Sequence, residues 1–183
     1  YQGYDDPKFA ADMAKLDGCI AEFTEFTAKL TGDPAQVLHR GVELLKKMNE
    51  TVDLLGSYAS LKQAANTSDS ESVAMLGKLQ QKLAAMAEPQ TLLTQYVASV
   101  DCLNDVIASD LLLTEHAFLL KNIKENARYT LSPDVEKVIS LYEISGSSAW
   151  SDLQGYLTSS VPVEYRGTTT TLSDIRNKAY DPE

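Results

Sequence analysis

Few residues in this chain of 183 could do chemistry, and their spacing says which kinds. A run of small residues, Ser145, Gly146, Ser147, Ser148 and Ala149, leads into the only tryptophan, Trp150. Its composition is that of an elbow presenting a nucleophilic serine. Such an elbow needs G-x-S-x-G between a strand and a helix, and a histidine to take the proton. The order here differs, and helical patterns flank it on both sides. The stretch therefore reads as a packing joint, in which small residues let two helices approach while Trp150 fills the core. The two histidines, His39 and His116, belong to no H-E-x-x-H motif, and Glu115-His116 fails the reversed form because Leu112 stands where its first histidine should be. Catalytic zinc typically needs three protein ligands and an open fourth position. No catalytic and no metal-binding residue is assigned, and the chain itself calls for no cofactor.

The remaining polar features have structural readings. Asp5-Asp6 and Asp69-Glu71 fall at helix starts, where carboxylates meet the positive end of the helix dipole. Arg166-Gly167 is a turn rather than a phosphate loop. Cys19 and Cys102 are far apart with no metal-type spacing, so the chain reads as intracellular, with both thiols reduced and buried. A net charge of −10 repels phosphate backbones and anionic lipid, which argues against nucleic acid and membrane as partners. No apolar run approaches the ~20 residues that span a bilayer. A chain of this length buries roughly 70% of its unfolded surface and needs no disulfide or metal to hold a core.

The elements that must position these residues are mostly helices. Phe9, Met13, Leu16, Ile20, Phe23 and Leu30 draw one stripe at alternating steps of four and three, started by Asp6-Pro7 and ended by Gly32. Asp33-Pro34 starts a second stripe through Leu38, Gly41, Leu45, Met48, Val52 and Leu55 to about Ala65. Ser68 and Glu71 form a capping box for a third helix, with Val73, Leu76, Leu79, Leu83 and Met86 inward, which Pro89 breaks. Further helices follow, one over Asp110 to Arg128 with Leu112, Leu113, Leu119, Leu120 and Ile123 inward, then one opened by Ser132-Pro133 and one carrying Trp150. Near the end "VPVEY" and "TTTTL" flank Arg166-Gly167 as a hairpin, and Thr171 with Asp174 caps a last helix. The fold class is mainly α: an antiparallel helical bundle with one short β-hairpin near the C-terminus. The first helical hairpin spans about 6–65, further helices 69–159, and the hairpin with the final helix 160–180.

The stretch "ENARYTLSPDVEKVISLYEISGSSAWSDLQGYLTSSVPVEYRGTTTTLSDIRNKAYDPE" closely resembles the region just before the catalytic domain in oligoendopeptidase F-type zinc metallopeptidases, relatives of thimet oligopeptidase. "ARYTLSP", an acidic helix, "GSSAW", "LTS", a hairpin and "LSDIRNKAYDPE" match in order. Upstream, "YQGYDDPKFAADMAKL" and "LLGSYASLKQAANTSD" are similar to the same family's N-terminal helices, so the resemblance extends over essentially all of residues 1–183. It implies an intracellular, cytoplasmic peptidase acting on short peptides. In that family, zinc is held by an H-E-x-x-H helix and a further glutamate, none of which is present here. What it leaves for this chain is an N-terminal helical domain that lines a channel and has the catalytic domain of the same peptidase as partner. It assigns no substrate-binding residue. A start at Tyr1 and an end at "AYDPE" suggest a piece of something longer. The alternative is a stand-alone helical interaction module derived from such a peptidase. If the joint reading holds, Trp150→Ala should cost roughly 3–5 kcal/mol in a chemical denaturation series.

Overall fold

A computed structural model describes residues 1–66 and 69–180. Two Asp-Pro pairs set the first two helices. The Asp6 carboxylate accepts from the Lys8 N–H at 2.8 Å to open α1 (Pro7–Thr27), and that of Asp33 accepts from Gln36 at 3.3 Å to open α2 (Pro34–Ala65). Proline suits these first helical positions because no N–H is needed there. α1 ends at Thr27 rather than at Gly32. The glycine instead turns the connection, at φ 114, a conformation open to a residue without a Cβ. α2 packs back on α1 and outruns it, its 32 residues extending about 48 Å at 1.5 Å per residue.

α3 (Ser70–Ala84) opens on Asp69, which accepts from the Glu71 N–H; Ser68 of the expected capping box lies outside the described residues. The chain breaks at Ala85 and Met86, and α4 (Ala87–Ser99) carries Pro89 in its first turn, where the missing N–H costs nothing. Pro89 thus follows the break instead of making it. Short helices α5 (Leu103–Ala108), α6 (Leu111–Glu115) and α7 (Ala117–Asn126) come next. The single helix expected over 110–128 is divided at His116, whose backbone leaves the helical region and whose ring Nδ1 sits 2.9 Å from the Leu112 carbonyl. After a 3₁₀ turn at Ala127–Tyr129 come α8 (Pro133–Glu143), a kinked segment at Ile144–Ser148, and α9 (Ala149–Ser160).

Strands β1 (Pro162–Tyr165) and β2 (Thr168–Thr171) pair antiparallel, from Pro162 opposite Thr171 to Tyr165 opposite Thr168. The two turn residues both have positive φ, Arg166 at 50 and Gly167 at 79, the sign that matches the twist of a two-residue hairpin. In α10 (Leu172–Lys178), Thr171 and Asp174 bond reciprocally. The Thr171 hydroxyl donates to the carboxylate at 2.9 Å and accepts from the Asp174 N–H at 3.2 Å. The mainly α bundle with one C-terminal hairpin is what the sequence patterns predict.

The core forms where α1, α2 and α4 meet, closed by α3, α5, α6 and α7. Phe9, Leu16, Phe23, Leu38, Met48, Leu55, Met86, Val97, Leu113 and Leu120 are its most enclosed members. Several stripe residues expected inside are not: Val73, Leu83 and Leu119 are exposed, and so is Cys102, whereas Cys19 is buried as expected. The largest departure lies further on. No residue between 121 and 180 whose burial is described is buried. Trp150 is 70% exposed, and a Cβ built on Gly146 would meet nothing within 4 Å. The small residues at 145–149 therefore do not enclose Trp150 between two packed helices: among the described residues no layer lies over it. Trp150→Ala is now expected to cost less than about 1 kcal/mol in urea denaturation, as surface substitutions do, while Phe23→Ala, fully enclosed, should cost about 3–5 kcal/mol.

Candidate functional site

The serine stretch places no nucleophile beside a base. Ser145 leans back on the Tyr142 carbonyl at 3.5 Å, and both histidines are engaged elsewhere. Among the described residues no group of three or more His, Cys, Asp or Glu could hold a metal ion. Among them, too, no helix is long and apolar enough to cross a membrane.

His39 lies in the most polar of the inter-helix contacts. Its Nδ1 lies 2.9 Å from an Asp110 carboxylate oxygen and its Nε2 3.7 Å from Glu43. Asp110 is simultaneously the cap of α6, accepting from the Leu113 N–H at 3.0 Å. That backbone N–H, more than the imidazole, holds the Asp110 carboxyl below the usual carboxylate range. Around the pair, Glu22 receives Arg40 and, at 3.1 Å, Lys47, and Arg40 also reaches Glu43 at 3.2 Å. Hollows on either side are shallow and open, lined by Arg40, Glu43, Lys46 and Leu112 or by Gln36, Ser109 and Asp110. The arrangement fastens α2 to the start of α6. With its charges in solvent each pair adds no more than about 1 kcal/mol. No local pattern could reveal it, since the partners are 71 residues apart.

A second feature missed by periodicity is the aromatic cluster at the N-terminus. Tyr1 and Tyr4 each meet Phe9 and Tyr58 edge-on, with ring centroids 5.1 to 5.4 Å apart. The Ser72 hydroxyl, fully buried, gives its proton to Asp69 at 2.6 Å, so the Tyr4 hydroxyl must be the donor in the 2.7 Å bond between them. Lys62 lies 4.1 Å above the Tyr4 ring. Burial first, and then the bond to Asp12, push the Tyr1 phenol well above the ordinary tyrosine value. This cluster pins the N-terminal segment to α2 and α3.

What remains for function is surface. α8 packs on α4, where Lys137 meets Glu88 at 2.8 Å, and that bond raises the lysine above its ordinary value. Leu141 and Tyr142 are left in solvent, and beyond the kink α9 adds Trp150, Leu153, Tyr156 and Leu157, all exposed. Between α9 and the bundle lies a cleft of about 440 Å³, lined by Ser60, Gln63, Ala64, Val73, Leu153 and Tyr156. Scattered surface apolar residues are normal, but here exposed aromatic and aliphatic residues fall on two successive helices. Of these residues the sequence reading placed Trp150 in the core, where the structure does not put it.

Comparison with known families gives one match. The model of the family described as oligopeptidase F, for its N-terminal domain, matches residues 100–161. It runs from the end of α4 through α9 and takes in the "ARYTLSP", "GSSAW" and "LTS" features. The first helices, the hairpin and α10 lie outside it. A search of curated proteins and a search of solved structures returned no match.

The fastening of α2 to α6 predicts a pH dependence. A carboxyl whose folded value lies below its unfolded value near 3.9 contributes stability that is fully present above about pH 4 and is lost as pH falls through the folded value. Asp110→Asn keeps an oxygen for the Leu113 N–H and removes only the charge. Urea midpoints between about pH 2.5 and 6 should fall less steeply for this variant than for the parent chain; parallel curves would refute the assignment.

Proposed function

From the oligopeptidase F character of residues 100–161, we propose that this chain is the N-terminal, channel-forming domain of an intracellular zinc metallo-oligopeptidase that hydrolyses short peptides. The family match is the observation that carries this reading. It is supported by the apolar face of α8 and α9, which lies largely within the matched segment and has no cover in this chain. A catalytic domain docked there would bury Tyr142, Trp150 and Leu157, which stand exposed in this structure. The residues here do not fit zinc: the sequence has no H-E-x-x-H, and no cluster among the described residues offers three ligands. Metal and water activation accordingly belong to residues outside this chain.

The contribution left to these helices is selection by shape. A wall that closes a catalytic site into a channel admits flexible peptides. A folded protein would have to open locally to enter, at a cost of up to its whole stability of about 5–15 kcal/mol. The competing reading, a stand-alone interaction module, uses the same apolar face for a different partner.

An antibody raised against residues 1–183 separates the two. A native product several times longer, containing H-E-x-x-H and cleaving a fluorogenic short peptide in a chelator-sensitive way, is the expected result. The chain alone should show no cleavage, with or without added zinc. A native product ending near Glu183, or chelator-sensitive cleavage by the purified chain alone, would sink the proposal.

A further inference from the structure

Between α8 and α9 the chain does not continue as one helix. Within Ile144–Ser148 the backbone of Gly146 takes φ −96 and ψ −107, outside the helical region, so the segment is a kink between two helices. A glycine beside serines is one of the few identifiable causes of a sharp kink between helices. On the Cβ side of Gly146 nothing lies within 4 Å, so no neighbour braces it there. The two sides of the turn are held very differently. Upstream, α8 packs on α4 and is tied to it by Lys137 and Glu88. Downstream, α9, the hairpin and α10 pack on one another, and the Thr170 and Thr171 hydroxyls both donate to Asp174, joining the hairpin to α10. Toward the bundle this assembly faces α2 and α3 across the cleft of about 440 Å³, and none of its residues whose burial is described is buried. It is a braced arm, held where α8 and the kink meet α4 and α3, and separated beyond that from the bundle by a gap whose apolar wall is edged by Ser151 and Asp152.

We propose that the Ile144–Ser148 turn is a hinge on which α9, the β-hairpin and α10 swing as one arm, closing the cleft onto α2 and α3. The walls drive the closure. Ala64 and Val73 on the bundle side and Leu153 and Tyr156 on the arm side leave water together when the gap shuts. Few buried contacts oppose the movement, which is the physical meaning of a mobile element. The motion is internal to this chain and does not depend on the peptidase reading.

The test is a pair of electron–electron distance measurements on the whole chain, with Cys102→Ser removing the exposed native thiol. Nitroxides on Lys78→Cys in α3 and Asn177→Cys in α10 should give two distance populations, the shorter being the closed arm. Gly146→Ala favours continuous helix and should reduce the two populations to one. Val73→Asp puts a charge on the cleft wall and should lower the closed fraction at least twofold. A control pair on Lys78→Cys and Asp134→Cys, upstream of the turn, should give one population throughout. A single narrow distance for the first pair in the parent chain would overturn the hinge. So would two populations that both variants leave unchanged, or two populations in the control.

Discussion

The structure depends on the seam where α1 and α2 lie antiparallel against α4. Phe23, Leu38, Leu55 and Val97 are almost wholly removed from water there, and the two Asp-Pro starts phase their stripes so that they face each other. Gly41 allows α4 its close approach: a Cβ at that position would come within 3.3 Å of Leu93. Hydrophobic burial of this kind supplies the favourable term, and the polar fastenings locate the remaining elements upon it. His39 with Asp110 sets the start of α6, and Tyr4 with Ser72 and Asp69 sets the N-terminal segment on α3.

That seam also decides where the core ends. Leu120 is its last member, and everything beyond attaches to the outside through α4 and α3. The segment matching oligopeptidase F spans this transition. Its first third supplies Leu103, Ile107, Leu113 and Leu120 to the core, and its remainder presents the open face of α8 and α9. One stretch of chain is thus both the last layer of the bundle and an exposed apolar face.

Much of the architecture is local in origin and so was readable. Asp6-Pro7, Asp33-Pro34, Thr171 with Asp174, and Arg166-Gly167 act through bonds and dihedral preferences spanning a few residues, and each does in the fold what its type demands. The break before Pro89 was misplaced by a few residues and the division at His116 was not foreseen, since packing chooses between nearly equal local alternatives. The site was less legible. Histidine at 39 and aspartate at 110 carry no mark of one another, and the aromatic cluster draws on Tyr1, Tyr4, Phe9 and Tyr58 from separate elements.

By itself the sequence determined the helices, the single hairpin, the resemblance to oligopeptidase F, and the lack of an H-E-x-x-H motif, because each is written in residue type over short spacing. Only the tertiary structure decided which apolar stripes are covered. A stripe states that a face is apolar, but whether that face is buried depends on having a neighbour. Leu55 and Trp150 both lie on helices with apolar spacing. One is enclosed because α1 lies across it, and the other stands in water because no element of this chain does.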